Sequence, residues 1–381
     1  MEIQENEDVE KGTKVNAVLA HTTPYRLIFY HSDEEWSPSV EDINEKKYDH
    51  TKLHRLSGSI DIGLPDPLCL HLGFDGSLLL PLTKDFWPVD KSVTAFNKIL
   101  GKLALGGIYF NALEPTDIDQ AILHDTGYFR PLGLATSFVG KIRLSVQQKL
   151  ADAYHSISLL HDPSHILFSE LKSAFAEGDS ICSQISSLSP EFIVNGTSAF
   201  VTHNWGEALT NFWIVAEQVL DNLWNEHVIE GKPHPEPDIP NRRNFLESRA
   251  WNASNQVEML FQKEILPRNT YQLLSDAKAA RNKLVHGGEL PDRSEAESAF
   301  EGAFQLIACK THPNDINYFS EQIEKFKDLD PIERHYSSHD SISSEEIDFS
   351  LGPLPPIPGE ETWGDEPYES PYDLEDKYSE E

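Results

Sequence analysis

Apolar residues recur at helical spacing through the C-terminal third of the chain, residues 205–329. The first stripe follows i, i+3, i+4, i+7 spacing and consists of Leu209, Phe212, Trp213, Ala216, Val219, Leu220 and Leu223. Four further stripes follow it: Leu246, Ala250, Ala253, Val257 and Leu260; Leu273, Leu274, Ala277, Ala280, Leu284 and Val285; Phe300, Ala303 and Ile307; Ile316, Phe319, Ile323 and Phe326. A capping box at Ser294 and Glu297 is predicted to begin the fourth helix. Short connections between five such helices predict an all-α, mostly antiparallel bundle.

Residues 1–195 have a mixed pattern, which predicts an α+β domain with about five strands. Asp75-Gly76 stands between two apolar runs, so we expect a β-hairpin there. The predicted strands are Arg26–Tyr30, Ser59–Ile62, Leu68–Phe74 and Ser77–Leu82. The predicted helices are Val93–Leu105, Thr116–Leu123 with Thr116 as its N-cap, Leu144–Leu160 and Ile166–Ala176. The role of this domain is not indicated by any motif, and its position suggests a sensor or regulatory element.

Residues 330–381 are rich in Ser, Pro and acids, with 16 acidic and 2 basic residues. This composition predicts a disordered acidic C-terminal tail. The whole chain carries a net charge of -32, which argues against non-specific, salt-driven binding of nucleic acid. A nucleic acid would have to be held by a few local cations.

The remaining sequence predicts a cytoplasmic protein, and we expect no cofactor because no Gly-rich phosphate loop, Walker motif or Rossmann fingerprint is present. Cys69, Cys182 and Cys309 form no CxxC pair and are typical of core thiols in a reducing compartment. The Glu-rich N-terminus is unlike a targeting peptide, and no apolar run is long enough for a membrane span, so we expect no membrane association. No metal site is predicted, because Pro163 interrupts the helix that would align His161 with His165.

The candidate chemistry lies at residues 281–286, with the sequence Arg-Asn-Lys-Leu-Val-His, followed by Gly287-Gly288. Arg281 continues the apolar line of Leu274 and Ala277 at helical spacing. A buried guanidinium without partners is costly, and no acid on the same helix is correctly spaced. We therefore expect Arg281 to be paired from elsewhere, or to face a cleft or another subunit.

His286 follows Arg281 by five residues, about 140° around a regular helix. The two glycines are expected to end the helix in a left-handed cap near His286, where the helix dipole favours a protonated imidazole. That suits general acid–base catalysis, while Arg281 could bind phosphate and Asn282 offers a donor and an acceptor. The alternatives are a structural Arg281 paired with an acid such as Glu217, and a His286 that only caps the helix.

This motif, on a late helix of a five-helix pattern, resembles that of the HEPN superfamily, and of its ApeA-type branch most closely, over residues 205–329. The resemblance implies a metal-independent endoribonuclease in which the RNA 2′-OH attacks the adjacent phosphate and leaves a 2′,3′-cyclic phosphate. It implies His286 as acid and base, Arg281 as phosphate and transition-state ligand, and Asn282 as an orienting group. Two copies of the motif share one cleft, so a homodimer through the bundle, or a HEPN partner, is expected. The implied cellular role is antiviral defence or a toxin.

The resemblance also leaves weaker expectations and one alternative function. Glu217 and Lys283 are expected to support the site, and a cationic strip for RNA is formed by Arg242, Arg243, Arg249, Lys278 and Lys283, unless these side chains are simply solvated. The alternative is a non-catalytic HEPN module for binding or dimerisation that recruits a partner protein or RNA. A regulatory partner could bind the N-terminal domain or the acidic tail.

Overall fold

The computed structural model describes residues 14–32, 39–65, 68–150, 164–230, 245–248 and 250–329. The predicted tail at 330–381 lies outside the described residues, as does the predicted helix Leu144–Leu160 beyond residue 150. The described residues form one compact unit.

An antiparallel sheet of six strands organises the N-terminal half, in the order β3-β4-β5-β1-β6-β7. These strands are β1 Lys14–Ala20, β3 Leu56–Ile60, β4 Leu70–Gly73, β5 Leu78–Pro81, β6 Ile118–His124 and β7 Tyr128–Pro131. The sheet curls until its two edges meet: Arg55 forms an antiparallel bridge with Tyr128, and the Leu56 amide donates to the Gly127 carbonyl at 2.8 Å. A separate pair of parallel strands joins β2 Arg26–Phe29 to β8 Ser164–Leu167.

The two faces of the sheet belong to different cores because successive side chains of a strand point to opposite faces. Val18 and Ala20 of β1 belong to a core on the outer face, which includes side chains of a long helix, Val89–Leu105. The alternate positions Ala17 and Leu19 belong to the core on the other face, with Leu79, Ala121, Leu123 and Phe129. The curl is therefore filled by apolar side chains.

Ten α-helices are found among the described residues. They are α1 Val40–Glu45, α2 Val89–Leu105, α3 Phe138–Gln147, α4 Phe168–Gln184, α5 Pro190–Val201, α6 Trp205–Trp224, α7 Ala253–Gln262, α8 Arg268–Asn282, α9 Arg293–Thr311 and α10 Ser320–Lys327. Short 3₁₀ turns lie at His50–His54 and Pro115–Asp117, and π-helical turns follow α6 at Asn225–Ile229 and α8 at Lys283–Gly287.

Helix α2 links the sheet to the helical core. Phe96 and Leu103 of α2 pack on the sheet side, whereas Ala104 and Leu105 belong to the core built by α4 to α10. The approach is close, because a Cβ at Gly101 would collide with the Pro190 carbonyl of α5. Helices on both sides of the predicted boundary near residue 200 share this core, and the division into 1–195 and 205–329 stays a prediction.

The sequence predictions for the N-terminal half succeed for local signals and fail for long-range ones. The Asp75-Gly76 hairpin is confirmed, with Gly76 at φ +84°, and α2 ends at Leu105 as expected. The predicted helix Thr116–Leu123 and its N-cap at Thr116 are wrong: Thr116 lies in a 3₁₀ turn, and β6 begins at Ile118 and pairs with β1 along seven residues. That partner strand was not predicted, and its hydrogen bonds override the local helical spacing.

Two other predicted N-terminal helices have different bounds, and the number of strands is larger than predicted. Helix α3 starts at Phe138 because the Ser137 side chain caps it, so it precedes the predicted start at Leu144. The predicted helix Ile166–Ala176 begins instead as strand β8, and its helical part runs on to Gln184. The described residues contain eight strands in place of about five.

All five predicted C-terminal helices are present, with shifted ends. The α6 stripe is buried throughout, as predicted. Helix α7 begins only at Ala253, because the Asn252 side chain accepts from the amides of Ser254 and Asn255. The α9 capping box is formed by Asp292 and Glu295, so the prediction of Ser294 and Glu297 is wrong.

Candidate functional site

The predicted motif lies where α8 ends and the π-helical turn begins. Gly288 adopts φ 69°, and its amide donates to the carbonyls of Leu284, at 3.0 Å, and Lys283. A left-handed cap after His286 is therefore confirmed, and Gly288 is the residue of the pair that adopts it. The conformation favours glycine because it has no Cβ.

The π-helical turn changes how Arg281 and His286 relate. The bond from Gly288 to Lys283 joins residues five apart, as in a π-helix, rather than four apart. The angle of about 140° expected from a regular helix therefore does not apply across this turn. Such turns are common at functional sites because they reposition side chains within a helix.

Arg281 is half-buried, and the residues at helical spacing with it change from buried before it to exposed after it. Leu274 and Ala277 are buried, whereas Val285 is 56% exposed, so the prediction that Val285 belongs to the apolar stripe of this helix is wrong. The guanidinium makes a long contact, from Nη1 to Asn282 Oδ1 at 3.5 Å. Among the described residues no carboxylate lies within 4 Å of it, so Arg281 remains available for an anion.

Glu217 on α6 bonds to Trp213 rather than to Arg281, the partner considered for it. Its Oε1 accepts from Trp213 Nε1 at 2.7 Å, one turn earlier on the same helix. Because Trp213 is 5% exposed, this bond satisfies an indole N–H that would otherwise be buried and unpaired. No ion pair joins Glu217 to Arg281 within the described part of the chain.

Lys283 is paired with an acid of the next helix. Its Nζ lies 2.9 Å from Glu295 Oε1, and this hydrogen bond, with the charges of Glu295, Glu289 and Asp292, raises the pKa of Lys283. The ion pair ties the π-helical turn to the first turn of α9. Glu295, Glu289 and Asp292 thus lie near Lys283, and their negative charge opposes the approach of a polyanion.

His286 is exposed, and apolar side chains beside it are exposed as well. Val285 is 56% exposed and Leu290 is 83% exposed. Gly206 of α6 lies close to this segment, because a Cβ on it would be 3.9 Å from the side chains of both Leu284 and Leu290. The turn therefore lies beside the start of α6, and His286 has open space around it.

The other predicted RNA contacts are only partly described. Lys278 is half-buried on α8, one turn before Arg281. Arg242, Arg243 and Arg249 lie outside the described residues. The cationic strip therefore stays a prediction, and its member Lys283 is already neutralised by Glu295.

Sequence reasoning missed a second set of polar residues, which the fold brings together in a cleft beside the curled sheet. They are His50, His54, His124, Arg130, Gln147 and Gln148. They come from three segments far apart in sequence, so no local spacing could have revealed them.

No family model, curated protein or solved structure matches this chain. None of the described helices is long and apolar enough to cross a membrane. Within the same residues, no group of three or more His, Cys, Asp or Glu is placed to hold a metal ion. The resemblance to HEPN proteins therefore rests on the motif and its helical setting.

Proposed function

We propose that the chain is a HEPN-type, metal-independent endoribonuclease. Two observations carry the proposal: His286 is exposed in the π-helical turn, and Arg281, at the end of α8, has no acidic partner among the described residues. An available guanidinium suits a phosphodiester, and an accessible imidazole suits proton transfer. A defence or toxin role is the cellular context that the resemblance implies.

In this mechanism the nucleophile and the leaving group both come from RNA. The 2′-oxygen attacks the adjacent phosphorus as its proton passes to a neutral imidazole, and the bond to the 5′-oxygen breaks as that oxygen gains a proton. His286 performs one of these transfers, and His286 of a second copy performs the other. Arg281 stabilises the charge on the phosphoryl oxygens, with Asn282 orienting them.

A homodimer completes the proposed site, because each chain carries one motif. Val285 and Leu290, which precede and follow His286 in the sequence, are both largely exposed. Burying such side chains against a second copy would stabilise the pair through the hydrophobic effect. It would also bring two copies of His286 to one cleft.

The surrounding charge favours a second candidate, a non-catalytic module that recruits a protein partner. Glu289, Asp292 and Glu295 lie close enough to Lys283 to raise its pKa, so the motif is set among carboxylates. The exposed apolar side chains beside them would suit a protein surface. Cleavage of RNA therefore decides between the two.

The experiment incubates the full chain with RNA in EDTA and analyses the new ends. We expect cleavage that leaves 2′,3′-cyclic phosphate and 5′-OH ends, and a loss of at least about 100-fold in rate for either Arg281→Ala or His286→Ala, as for removal of an acid–base or transition-state ligand. Size-exclusion chromatography with light scattering on Val285→Ser and Leu290→Ser tests the dimer in parallel.

Two matched control variants come from the same chain. Arg268→Ala removes an exposed arginine from the first turn of α8, and His227→Ala removes a histidine from the other π-helical turn. Both should cleave like the wild type. Cleavage that survives Arg281→Ala and His286→Ala, or that the two controls abolish equally, would contradict the assignment.

A further inference from the structure

A cleft with a volume of about 660 Å³ lies beside the curled sheet, and this volume is typical of small-molecule sites. Its walls are the 3₁₀ turn His50–His54, the β6–β7 hairpin and the end of α3. Main-chain bonds fix two of these walls together, because Arg55, next to the turn, bridges to Tyr128 of the hairpin. The cleft is therefore part of the folded framework.

The polar lining of this cleft is basic or neutral. Among the described residues it contains His50, His54, His124, Arg130, Gln147 and Gln148, and no carboxylate. Acids make up 63 of the 381 residues, about one in six, so a random set of ten lining residues would include one or two. Hydrogen-bond donors without an acid are the arrangement that an anion requires.

The acids near the cleft already have partners of their own. Asp49 precedes His50, but its Oδ1 accepts from the Thr51 hydroxyl at 2.7 Å and the Thr51 amide at 3.1 Å. Asp75 lies behind the cleft, fully buried, and accepts from Gln147 Nε2 at 2.7 Å. These bonds draw the carboxylates away from a ligand and hold the lining in place.

The position of His54 is fixed by its neighbours. Its Nε2 lies 3.2 Å from the Gln147 carbonyl, and a carbonyl can only accept, so Nε2 carries the hydrogen. Its ring also packs edge-on against Phe129, with centroids 6.2 Å apart. A ring held in this way loses little entropy when a ligand binds.

The rim of the cleft offers apolar surface beside the donors. Tyr128 and Leu132 line it and are 42% and 45% exposed. Tyr128 and Arg130 stand on the same side of β7, since they are two residues apart in a strand and both are exposed. A ligand could thus place a planar ring on Tyr128 and a phosphate on Arg130 together.

We propose that this cleft binds a small phosphate ester with a planar ring, of the mononucleotide class. Arg130, His50 and His124 hold the phosphate, and Tyr128 and Leu132 contact the ring. The inference does not depend on the proposed ribonuclease, because no residue of the cleft belongs to the motif at 281–286.

Isothermal titration calorimetry on the full chain tests the proposal with three probes. Adenosine 5′-monophosphate carries both ring and phosphate, adenosine lacks the phosphate, and ribose 5-phosphate lacks the ring. We expect the mononucleotide to bind at least about tenfold more tightly than either fragment, the difference typical of one charge-assisted bond or one stacked base. Equal affinity for the mononucleotide and adenosine, or no binding of any probe at millimolar concentration, would overturn the proposal.

A pair of cation variants then locates the site. Arg130→Gln should weaken binding of adenosine 5′-monophosphate about tenfold or more, since it removes the charge that faces the phosphate. Lys141→Gln removes an exposed cation from α3, outside the lining, and should leave the affinity unchanged. His50→Gln gives a second test within the cleft. An affinity unaffected by both Arg130→Gln and His50→Gln would place the ligand elsewhere and refute the assignment.

Discussion

Asp75 and Arg143 form a buried ion pair whose disruption should destabilise the N-terminal half measurably. Their side chains are 0% and 1% exposed, with Nη1 and Oδ2 4.0 Å apart. Burial lowers the pKa of Arg143, and the charge of Asp75 opposes that effect. Asp75→Asn keeps the shape of the side chain but leaves the guanidinium uncompensated.

The side chain of Asn can still form hydrogen bonds at position 75, so the measured loss of stability reports mainly the missing negative charge. Oδ2 accepts from Gln147 Nε2 and Ser77 Oγ, both at 2.7 Å. The new amide could donate to Ser77 Oγ and to Gln147 Oε1, which has no partner among the described residues. Losing one partner of a buried pair costs about 3–5 kcal/mol. Arg143 also keeps its bond to the Asp75 carbonyl, so we expect about 3 kcal/mol.

Thermal unfolding followed by circular dichroism measures the effect. At about 2 °C per kcal/mol for a unit of this size, Asp75→Asn should lower Tm by roughly 6 °C, and the exposed control Asp85→Asn by less than about 1 °C. The double variant Asp75→Asn with Arg143→Met should lose at least about 1 kcal/mol less stability than the two single variants lose in total, because it buries no lone charge. Strict additivity, or a Tm for Asp75→Asn equal to the control, would refute the argument.

Three further predictions concern the turn, the thiols and pH. Gly288→Ala should cost about 1–2 kcal/mol in urea unfolding, because φ is 69° there, whereas Gly287→Ala should cost less; equal losses would argue against the left-handed cap. Burial raises the pKa of Cys182 and Cys309 to about 11, so at pH 8 iodoacetamide should alkylate them roughly 100-fold more slowly in the folded protein than in urea; equal rates by mass spectrometry would contradict this. Burial lowers the pKa of His71 below 6.5, so its contribution to stability is present above that value and is lost as pH falls through the folded pKa. His71→Gln should make the urea midpoint of unfolding less dependent on pH between 7.5 and 5, and an unchanged pH dependence would contradict this prediction.

The parts of the fold that local sequence determines were predictable. The Asp75-Gly76 hairpin, the stripe of α6 and the end of α2 at Leu105 each depend on residues within one or two turns of the chain. Strand β6 was not predictable in this way. Its stability comes from hydrogen bonds to β1, about 100 residues earlier, and the two must be recognised together.

At the candidate site, too, features that depend on neighbouring residues were predictable and contacts between separate elements were not. The glycine cap after His286 follows from residue type alone, so it was predicted correctly. The ion pair between Lys283 and Glu295 was not, because it depends on how α9 begins. The basic cleft at Arg130 was not predicted, since its walls come from three separate segments.

The acidic setting of the motif decides how a polyanion could bind there. Within the described residues, Arg281 has no acidic partner, while Lys283 is held by Glu295 with Glu289 and Asp292 nearby. With three carboxylates near Lys283, the single available guanidinium of Arg281 would give only a weak local field for RNA, and salt would weaken it further. In the proposed homodimer a second copy would double the number of available guanidinium groups at a shared cleft, and burial of Val285 and Leu290 would supply free energy that does not depend on salt. RNA binding at the motif should therefore depend on protein concentration, because the dimer has to form before a phosphodiester meets enough positive charge.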